Sequence, residues 1–135
     1  MRCKCWVAVL VAASATPIFA ESKVDRGKYI VENIGVCGEC HTPRQVDGQP
    51  DRAKWLKGAT LNVQPIEPIK GWHKTSPDIT PASRLFLKWG EKGLIKFLET
   101  GLNPTNGRPA DPPMPQYHMT AEDAEAVVEY LKTLK

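Results

Sequence analysis

The sequence predicts an all-α domain in which the N- and C-terminal helices cross and a long, loop-rich middle with at least one further helix joins them. Every proline after residue 20 lies between Pro43 and Pro115. Because proline breaks helix interiors, uninterrupted helices are expected mainly in the two flanks, where apolar residues recur at helical spacing. With 135 residues, 41% apolar and 24% charged, the chain has the size and composition of one globular domain.

Residues 1–20 have the features of an export signal and are set apart from the fold. Arg2 and Lys4 form a short basic head, an apolar run follows, and Ala20 offers a small residue at the cut, with a position after Ala15 as the alternative. We therefore expect residues 1–20 to be a removed signal peptide, residues 21–135 to form the mature domain, and the mature protein to be periplasmic. No apolar run reaches the roughly 18 residues of a membrane-spanning helix, so no transmembrane segment is expected.

The charge distribution argues against nucleic acid as a partner. The formal net charge is +3, and no run of Lys or Arg is longer than two residues. A phosphate-tracking surface needs clustered cations, so none is predicted.

The two terminal helices follow from caps and apolar periodicity. The first is predicted over roughly 24–33, with Asp25 serving its N-terminus. The last is predicted to begin at Thr120, a good N-cap residue. Its apolar stripe consists of Ala124, Val127, Val128, Leu131 and Leu134. Gly27 permits close approach, so Tyr130 is expected to pack on it where the helices cross.

The middle of the chain contains one clear helix and a long segment that is poor in core residues. The helix is predicted from about Gly90 to Thr100, with Gly101 as its stop. Residues 85–87 (Leu-Phe-Leu) can either continue a helix or lie extended. Residues 42–84 hold few large apolar side chains, too few to offset the entropy of ordering them. Something else should therefore provide a hydrophobic centre.

A five-residue motif identifies that centre. Cys37-Gly38-Glu39-Cys40-His41 reads C-x-x-C-H, the covalent attachment pattern of a c-type haem. Two thiols three residues apart on one turn can add to the two vinyl groups on one side of the porphyrin, and the adjacent imidazole then faces the iron. We expect one covalent haem c per chain, bound by Cys37, Cys40 and His41.

Three alternative roles for the cysteine pair have weaker support. A thioredoxin-like redox pair needs a βαβ context, and strand-rich surroundings are missing. A zinc site needs two further ligands, and the remaining histidines, His73 and His118, have no paired spacing. A structural disulfide is the third alternative.

Four residues are candidates for the opposite face of the iron: Met114, Met119, His118 and His73. Met114 lies in a loop stiffened by three prolines and ending shortly before the last helix, and a soft thioether suits iron that cycles between two oxidation states. Met119 abuts Thr120, which ties its direction to the helix start. Met114 is favoured, while the other three and an open iron position remain alternatives.

The stretches that carry a family resemblance cover nearly all of residues 21–135. They are 26–31 (RGKYIV), 37–44 (CGECHTPR), 76–81 (SPDITP), 88–89 (KW), 107–109 (GRP), 114–117 (MPQY), 119–120 (MT), 122–123 (ED) and 130–132 (YLK). On these residues the chain resembles small monohaem bacterial cytochromes c, particularly the cytochrome c subunits and domains of periplasmic dehydrogenases. The resemblance implies a cytochrome c fold, its middle wrapped around the haem, with His41 and Met114 as axial iron ligands.

The expected function is electron transfer. Iron bound on both faces has no position for a substrate, so no catalytic residue and no enzyme activity are predicted. The protein would carry one electron from a periplasmic dehydrogenase or respiratory donor to a terminal oxidase or another cytochrome. The alternatives are a haem enzyme or gas sensor with a labile distal ligand, or an obligate haem subunit of a larger dehydrogenase. Arg44, Trp72 and Tyr117 are hypothesised neighbours of the haem edge or propionates.

Overall fold

The computed structural model describes residues 21–135, so the predicted signal peptide lies outside the described residues. Its elements are α1 (Lys23–Tyr29), a π-helical turn (Ile30–Ile34), α2 (Cys37–His41), a 3-10 turn (Arg52–Lys54), β1 (Ala59–Thr60), β2 (Thr75–Ser76), α3 (Arg84–Thr100) and α4 (Ala121–Lys132). The predicted all-α fold is confirmed. The two strands form a short antiparallel ribbon in which Ala59 pairs with Ser76. No helix among the described residues is long and apolar enough to cross a membrane.

The first helix begins one residue earlier than predicted and has a different cap. Ser22 is the N-cap: its hydroxyl accepts a hydrogen bond from the Asp25 amide at 3.1 Å and donates one to the Asp25 carboxylate at 2.6 Å. Asp25 therefore supports the cap from inside the helix. The helix passes into the π turn, which closes where the Gly35 amide donates to the Ile30 carbonyl at 2.7 Å. A π turn widens the helix immediately before the C-x-x-C-H motif.

The predicted crossing of the terminal helices is confirmed. Gly27 is buried against α4, and a Cβ placed on it would overlap the Ala126 carbonyl oxygen and lie 2.9 Å from the Tyr130 Cβ. Two ion pairs flank the crossing. Lys23 contacts Glu125 at 2.6 Å, and Arg26 forms a two-pronged pair with Asp123 at 2.9 and 3.2 Å. These exposed pairs add little stability individually, so the close contact at Gly27 dominates the crossing.

The middle helix is longer than predicted. Ser83 caps it by accepting from the Phe86 amide at 3.0 Å, so the ambiguous residues 85–87 are helical. Gly90, with φ 64° and ψ 178°, interrupts the helix and separates two helical pieces. The predicted stop is confirmed, since Gly101 adopts the left-handed conformation at φ 68°.

The apolar core lies where α1, α3 and α4 meet. Its buried members are Ile30, Val31, Leu56, Phe86, Leu94, Leu98, Ala124, Val127, Val128, Tyr130 and Leu131. Leu56 is the one residue from 42–84 in this cluster, while Val46 and Ile66 are fully exposed. The expected shortage of core residues in the middle segment is therefore observed.

Candidate haem site

The attachment motif forms a single helical turn, α2, that begins at a strained residue. Val36 precedes it with φ 41° and ψ 41°, a left-handed conformation that is costly for a β-branched side chain. The Glu39 amide donates to the Val36 carbonyl at 2.9 Å and closes the turn. As a result Cys37 and Cys40 lie on one turn of helix, both half-buried and neither in a disulfide.

The imidazole of His41 is buried and oriented. It is 5% exposed, and its Nδ1 lies 2.8 Å from the carbonyl oxygen of Pro77. A carbonyl only accepts hydrogen bonds, so Nδ1 carries the proton and Nε2 is the nitrogen with a free lone pair. Burial lowers the pKa of His41, and the Pro77 hydrogen bond opposes that shift without cancelling it. A neutral imidazole with Nε2 unprotonated is the form that binds iron.

The β-ribbon supports the end of α2. The Ser76 hydroxyl donates to the Cys40 carbonyl at 2.5 Å and accepts from the Ala59 amide at 3.0 Å. The Gly58 amide donates to the His41 carbonyl at 2.8 Å. These bonds come from residues 17 or more positions away along the chain, so the orientation of His41 depends on the ribbon being formed.

An aromatic residue covers the other side of α2. The ring of Trp55 packs on Gly38 so closely that a Cβ on Gly38 would overlap it. The Trp55 indole donates to the Tyr130 hydroxyl at 3.1 Å, and that hydroxyl donates to Glu32 at 3.2 Å. The Arg52 guanidinium lies 4.0 Å above the Trp55 ring. The attachment turn is thereby joined to the crossing of α1 and α4.

Tyr117 lies beside the thiols. Its hydroxyl donates to the Gly35 carbonyl at 2.9 Å. Burial raises the pKa of Tyr117 to about 12, with Cys37 and Cys40 adding to the shift. Burial likewise raises the pKa of the Cys37 thiol to about 11. Both groups therefore stay protonated at neutral pH.

The Met114 loop is connected to the surroundings of α2 on two sides. Met114 is half-buried, and its amide donates to the Asp111 carbonyl at 3.2 Å, which folds the loop into a turn. The His73 amide donates to the Pro112 carbonyl at 2.8 Å, and His73 lies four residues before Pro77. On the other side, Tyr117 links the loop to Gly35.

The other distal-ligand candidates have different environments. The Met119 amide donates to the Leu98 carbonyl at 3.0 Å, and its side chain packs against the apolar core. His118 is exposed. The exposed His73 side chain has its Nε2 3.4 Å from a carboxylate oxygen of Asp111.

The three hypothesised neighbours of the haem divide into two groups. Tyr117 and Arg44 contact the attachment motif or the residues beside it. Tyr117 donates to the Gly35 carbonyl, and Arg44 pairs with Glu39 and donates to the Gly48 carbonyl at 2.7 Å. Trp72 is half-buried, and its indole nitrogen is buried with no hydrogen-bond partner among residues 21–135. A buried donor without a partner is costly, so this N–H is suited to an acceptor on a bound group.

Sequence reasoning missed Trp55, Ser76 and Pro77. No signal in the sequence identified Trp55 as the residue that packs on Gly38. The Ser76 and Pro77 contacts come from the stretch 76–81, which sequence reasoning related to the family without assigning those residues a role.

The donor set fits a covalent haem. Cys37 and Cys40 are unpaired thiols on the same turn as His41, whose imidazole is oriented with Nε2 free. The thioether of Met114 lies in a hydrogen-bonded loop, and the buried indole N–H of Trp72 has no acceptor among residues 21–135. A zinc site and a thioredoxin-like pair fit the described part of the chain less well. No three His, Cys, Asp or Glu side chains come together there as a metal site, and the strands are two residues long.

Comparisons with known proteins agree with this chemistry. Residues 24–135 match the family described as Cytochrome c. The chain is 36% identical to a "Diheme cytochrome c-type" protein of Cereibacter sphaeroides over 80% of its own length, and 32% identical to the "Gluconate 2-dehydrogenase cytochrome c subunit" of Pantoea cypripedii over 91%. It is 29% identical to the "Alcohol dehydrogenase (quinone), cytochrome c subunit" of Gluconobacter oxydans over 96%. The chain spans 34%, 27% and 28% of these three relatives, about a third of their length or less.

Proposed function

Since the chain belongs to the cytochrome c family and has its fold, we propose that it is a periplasmic electron carrier with one covalent haem c. It would accept one electron from a dehydrogenase or respiratory donor and pass it to a terminal oxidase or another cytochrome. The family as a whole implies a c-type haem and electron transfer. The periplasmic location, the redox partners and the number of haems go beyond what the family implies and are part of the proposal.

The assignment of residues rests on one observation above the others. The buried His41 lies on the same helical turn as two unpaired thiols, and its Nδ1 donates a hydrogen bond to the Pro77 carbonyl. We assign Cys37 and Cys40 to the covalent attachment and His41 Nε2 to one face of the iron. When bound, the haem supplies a reversible one-electron change at its iron.

Met114 is the proposed ligand of the opposite face. Its loop is tied through Tyr117 to Gly35, just before α2, and through Pro112 to His73, while Met119 is engaged in core packing. Two protein ligands leave no open position, which favours a carrier over a haem enzyme or gas sensor with a labile ligand. The unpartnered indole of Trp72 is assigned to an acidic group of the haem.

A single haem is proposed because residues 1–135 contain one C-x-x-C-H motif. The relative named as a diheme protein is longer than this chain, which spans 34% of it.

A second candidate function is an obligate haem subunit of a larger dehydrogenase. It is favoured by the names of several relatives, which are cytochrome subunits of gluconate, alcohol and fructose dehydrogenases. Purification of the exported protein under mild conditions separates the two candidates, since an obligate subunit stays with a dehydrogenase and a free carrier does not.

A pair of matched variants tests the proposed ligand. Met114→Leu and Met119→Leu both remove a sulfur at nearly constant volume. We expect the weak sulfur-to-iron charge-transfer band of the ferric protein to disappear in Met114→Leu, with a fall in reduction potential, because a thioether favours Fe(II). Met119→Leu should keep both the band and the potential. Loss of the band in Met119→Leu with its retention in Met114→Leu would refute the assignment.

A further inference from the structure

A side-chain hydrogen bond connects the Met114 loop to the residues just before the attachment turn. Tyr117 lies three residues after Met114, and its hydroxyl donates to the Gly35 carbonyl at 2.9 Å. Gly35 lies two residues before Cys37. The bond thus joins two parts of the chain that are 82 residues apart, one close to the proposed attachment residue Cys37 and the other close to the proposed ligand Met114.

The acceptor of this bond is held rigidly. The Gly35 amide donates to the Ile30 carbonyl at 2.7 Å, and the next residue, Val36, adopts its strained left-handed conformation. Such a conformation persists only where neighbouring contacts determine it. A hydrogen bond to the carbonyl on the N-terminal side of Val36 is one of those contacts.

The donor is equally well placed. The ring of Tyr117 packs against the apolar core. A Cβ built on Gly35 would lie 3.3 Å from the Cys37 sulfur and 3.5 Å from the Tyr117 hydroxyl oxygen, so these atoms share one small space. Because burial raises the pKa of Tyr117 above that of a free phenol, the hydroxyl keeps its proton and remains a donor at neutral pH.

We propose that Tyr117 is a positioning residue for the distal side of the haem: its bond to Gly35 holds the Met114 loop at a fixed place relative to Cys37 and His41. This inference rests on the proposed role of Met114 as distal ligand. Without the bond, the loop keeps its own turn and its link to His73, but loses its direct tie to the attachment turn. The thioether would then leave the iron more often, and an added ligand would compete with it better.

Tyr117→Phe tests the proposal in the haem-loaded protein, because it removes only the hydroxyl. The probe is imidazole, titrated into the ferric protein and followed by absorption. We expect imidazole to bind about fivefold more tightly than to the unmodified protein, which corresponds to about 1 kcal/mol, the usual net strength of a neutral hydrogen bond. The charge-transfer band should also disappear at a lower temperature.

Two other tyrosines provide controls. Tyr130→Phe removes a hydroxyl that hydrogen-bonds to Trp55 and Glu32 but not to the Met114 loop, so it is the reference for a loss of stability alone. Tyr29→Phe alters an exposed ring and should change neither stability nor imidazole binding. If Tyr117→Phe loses as much stability as Tyr130→Phe and binds imidazole no more tightly, Tyr117 is merely structural and the proposal is overturned.

A measurement on the unmodified protein guards against a folding failure of the variant. In the reduced protein, proton NMR should show a slowly exchanging Tyr117 hydroxyl proton close to Gly35. Exchange as fast as that of Tyr29 would mean that the bond is absent, which overturns the proposal.

The role of Met114 and the role of Tyr117 are refuted by different results. A charge-transfer band retained in Met114→Leu overturns the distal ligand and this inference together. Unchanged imidazole binding in Tyr117→Phe, with the band lost in Met114→Leu, overturns this inference alone.

Discussion

The contact between Gly38 and Trp55 makes a prediction that can be worked through in energies. A methyl group at Gly38 would overlap the far edge of the Trp55 ring and lie 3.2 Å from its Cζ2 atom. The indole has little freedom to move, since it donates to the Tyr130 hydroxyl at 3.1 Å and lies under the Arg52 guanidinium. Gly38→Ala should therefore displace the ring and break its hydrogen bond.

The expected cost follows from three contributions. Overpacking costs about 1–3 kcal/mol, and the lost indole hydrogen bond costs about 1 kcal/mol. Alanine has a higher helix propensity than glycine, which offsets about 1 kcal/mol of this loss. The net loss in the free energy of unfolding is about 2 kcal/mol. Trp55→Leu alone should cost about 3 kcal/mol through lost burial and the lost hydrogen bond. In the double variant the methyl fits the space that the indole leaves, so the combined loss stays near that of Trp55→Leu, with a coupling of about 2 kcal/mol.

Urea unfolding of the haem-loaded protein and the three variants measures this coupling. Gly93→Ala is the matched control, because Gly93 is also helical and an added Cβ there comes no nearer than 3.0 Å to another side chain, whereas at Gly38 it would overlap the Trp55 ring. It should change stability by about 1 kcal/mol or less. If the losses of Gly38→Ala and Trp55→Leu simply add to within about 0.5 kcal/mol, the steric account of this contact is wrong.

Two further predictions concern the support of the site. Gly27→Ala should cost at least about 3 kcal/mol, beyond the usual range for overpacking, because the clash is with the Ala126 backbone rather than with a flexible side chain. Thermal unfolding checks this, and a melting temperature within a few degrees of that of Gly93→Ala would contradict it. Ser76→Ala removes the donor to the Cys40 carbonyl, and loss of that bond should cost about 1–2 kcal/mol, measured by urea unfolding. A Ser76→Thr variant that keeps the hydroxyl should recover most of the loss; if it does not, the hydrogen bond is not the cause.

Local patterns were enough to predict the helices and the attachment motif. Thr120 was recognised as a cap from its own type and its neighbours, and the structure shows its hydroxyl accepting from the Asp123 amide at 3.2 Å. The start of α3 was missed although its cap is also local, because Ser83 follows a proline-rich stretch and Gly90 interrupts the apolar period. Two helical pieces joined at a glycine with a non-helical backbone conformation do not share one periodicity.

The partners of the site residues could not be predicted in the same way. The acceptor for His41 is a backbone carbonyl 36 residues away, and every residue offers a carbonyl of the same kind, so composition cannot single it out. Met114 as distal ligand was predicted from three neighbouring prolines and stays a prediction, as does the signal peptide at residues 1–20. The bracing of the Met114 loop by Tyr117 and His73 appears only once distant segments are brought together.

What the sequence alone determined is the chemistry that depends on neighbours within one turn: two thiols and an imidazole in five residues, the cap of the last helix and the apolar stripes of both terminal helices. These are local because helical hydrogen bonds and caps reach no more than about five residues along the chain. Tertiary structure decided which nitrogen of His41 is free, which ring fills the space at Gly38 and which hydroxyl ties the Met114 loop to the attachment turn. Those outcomes depend on packing between segments 17 to 98 residues apart, where many pairings satisfy the same composition and only the folded core selects one.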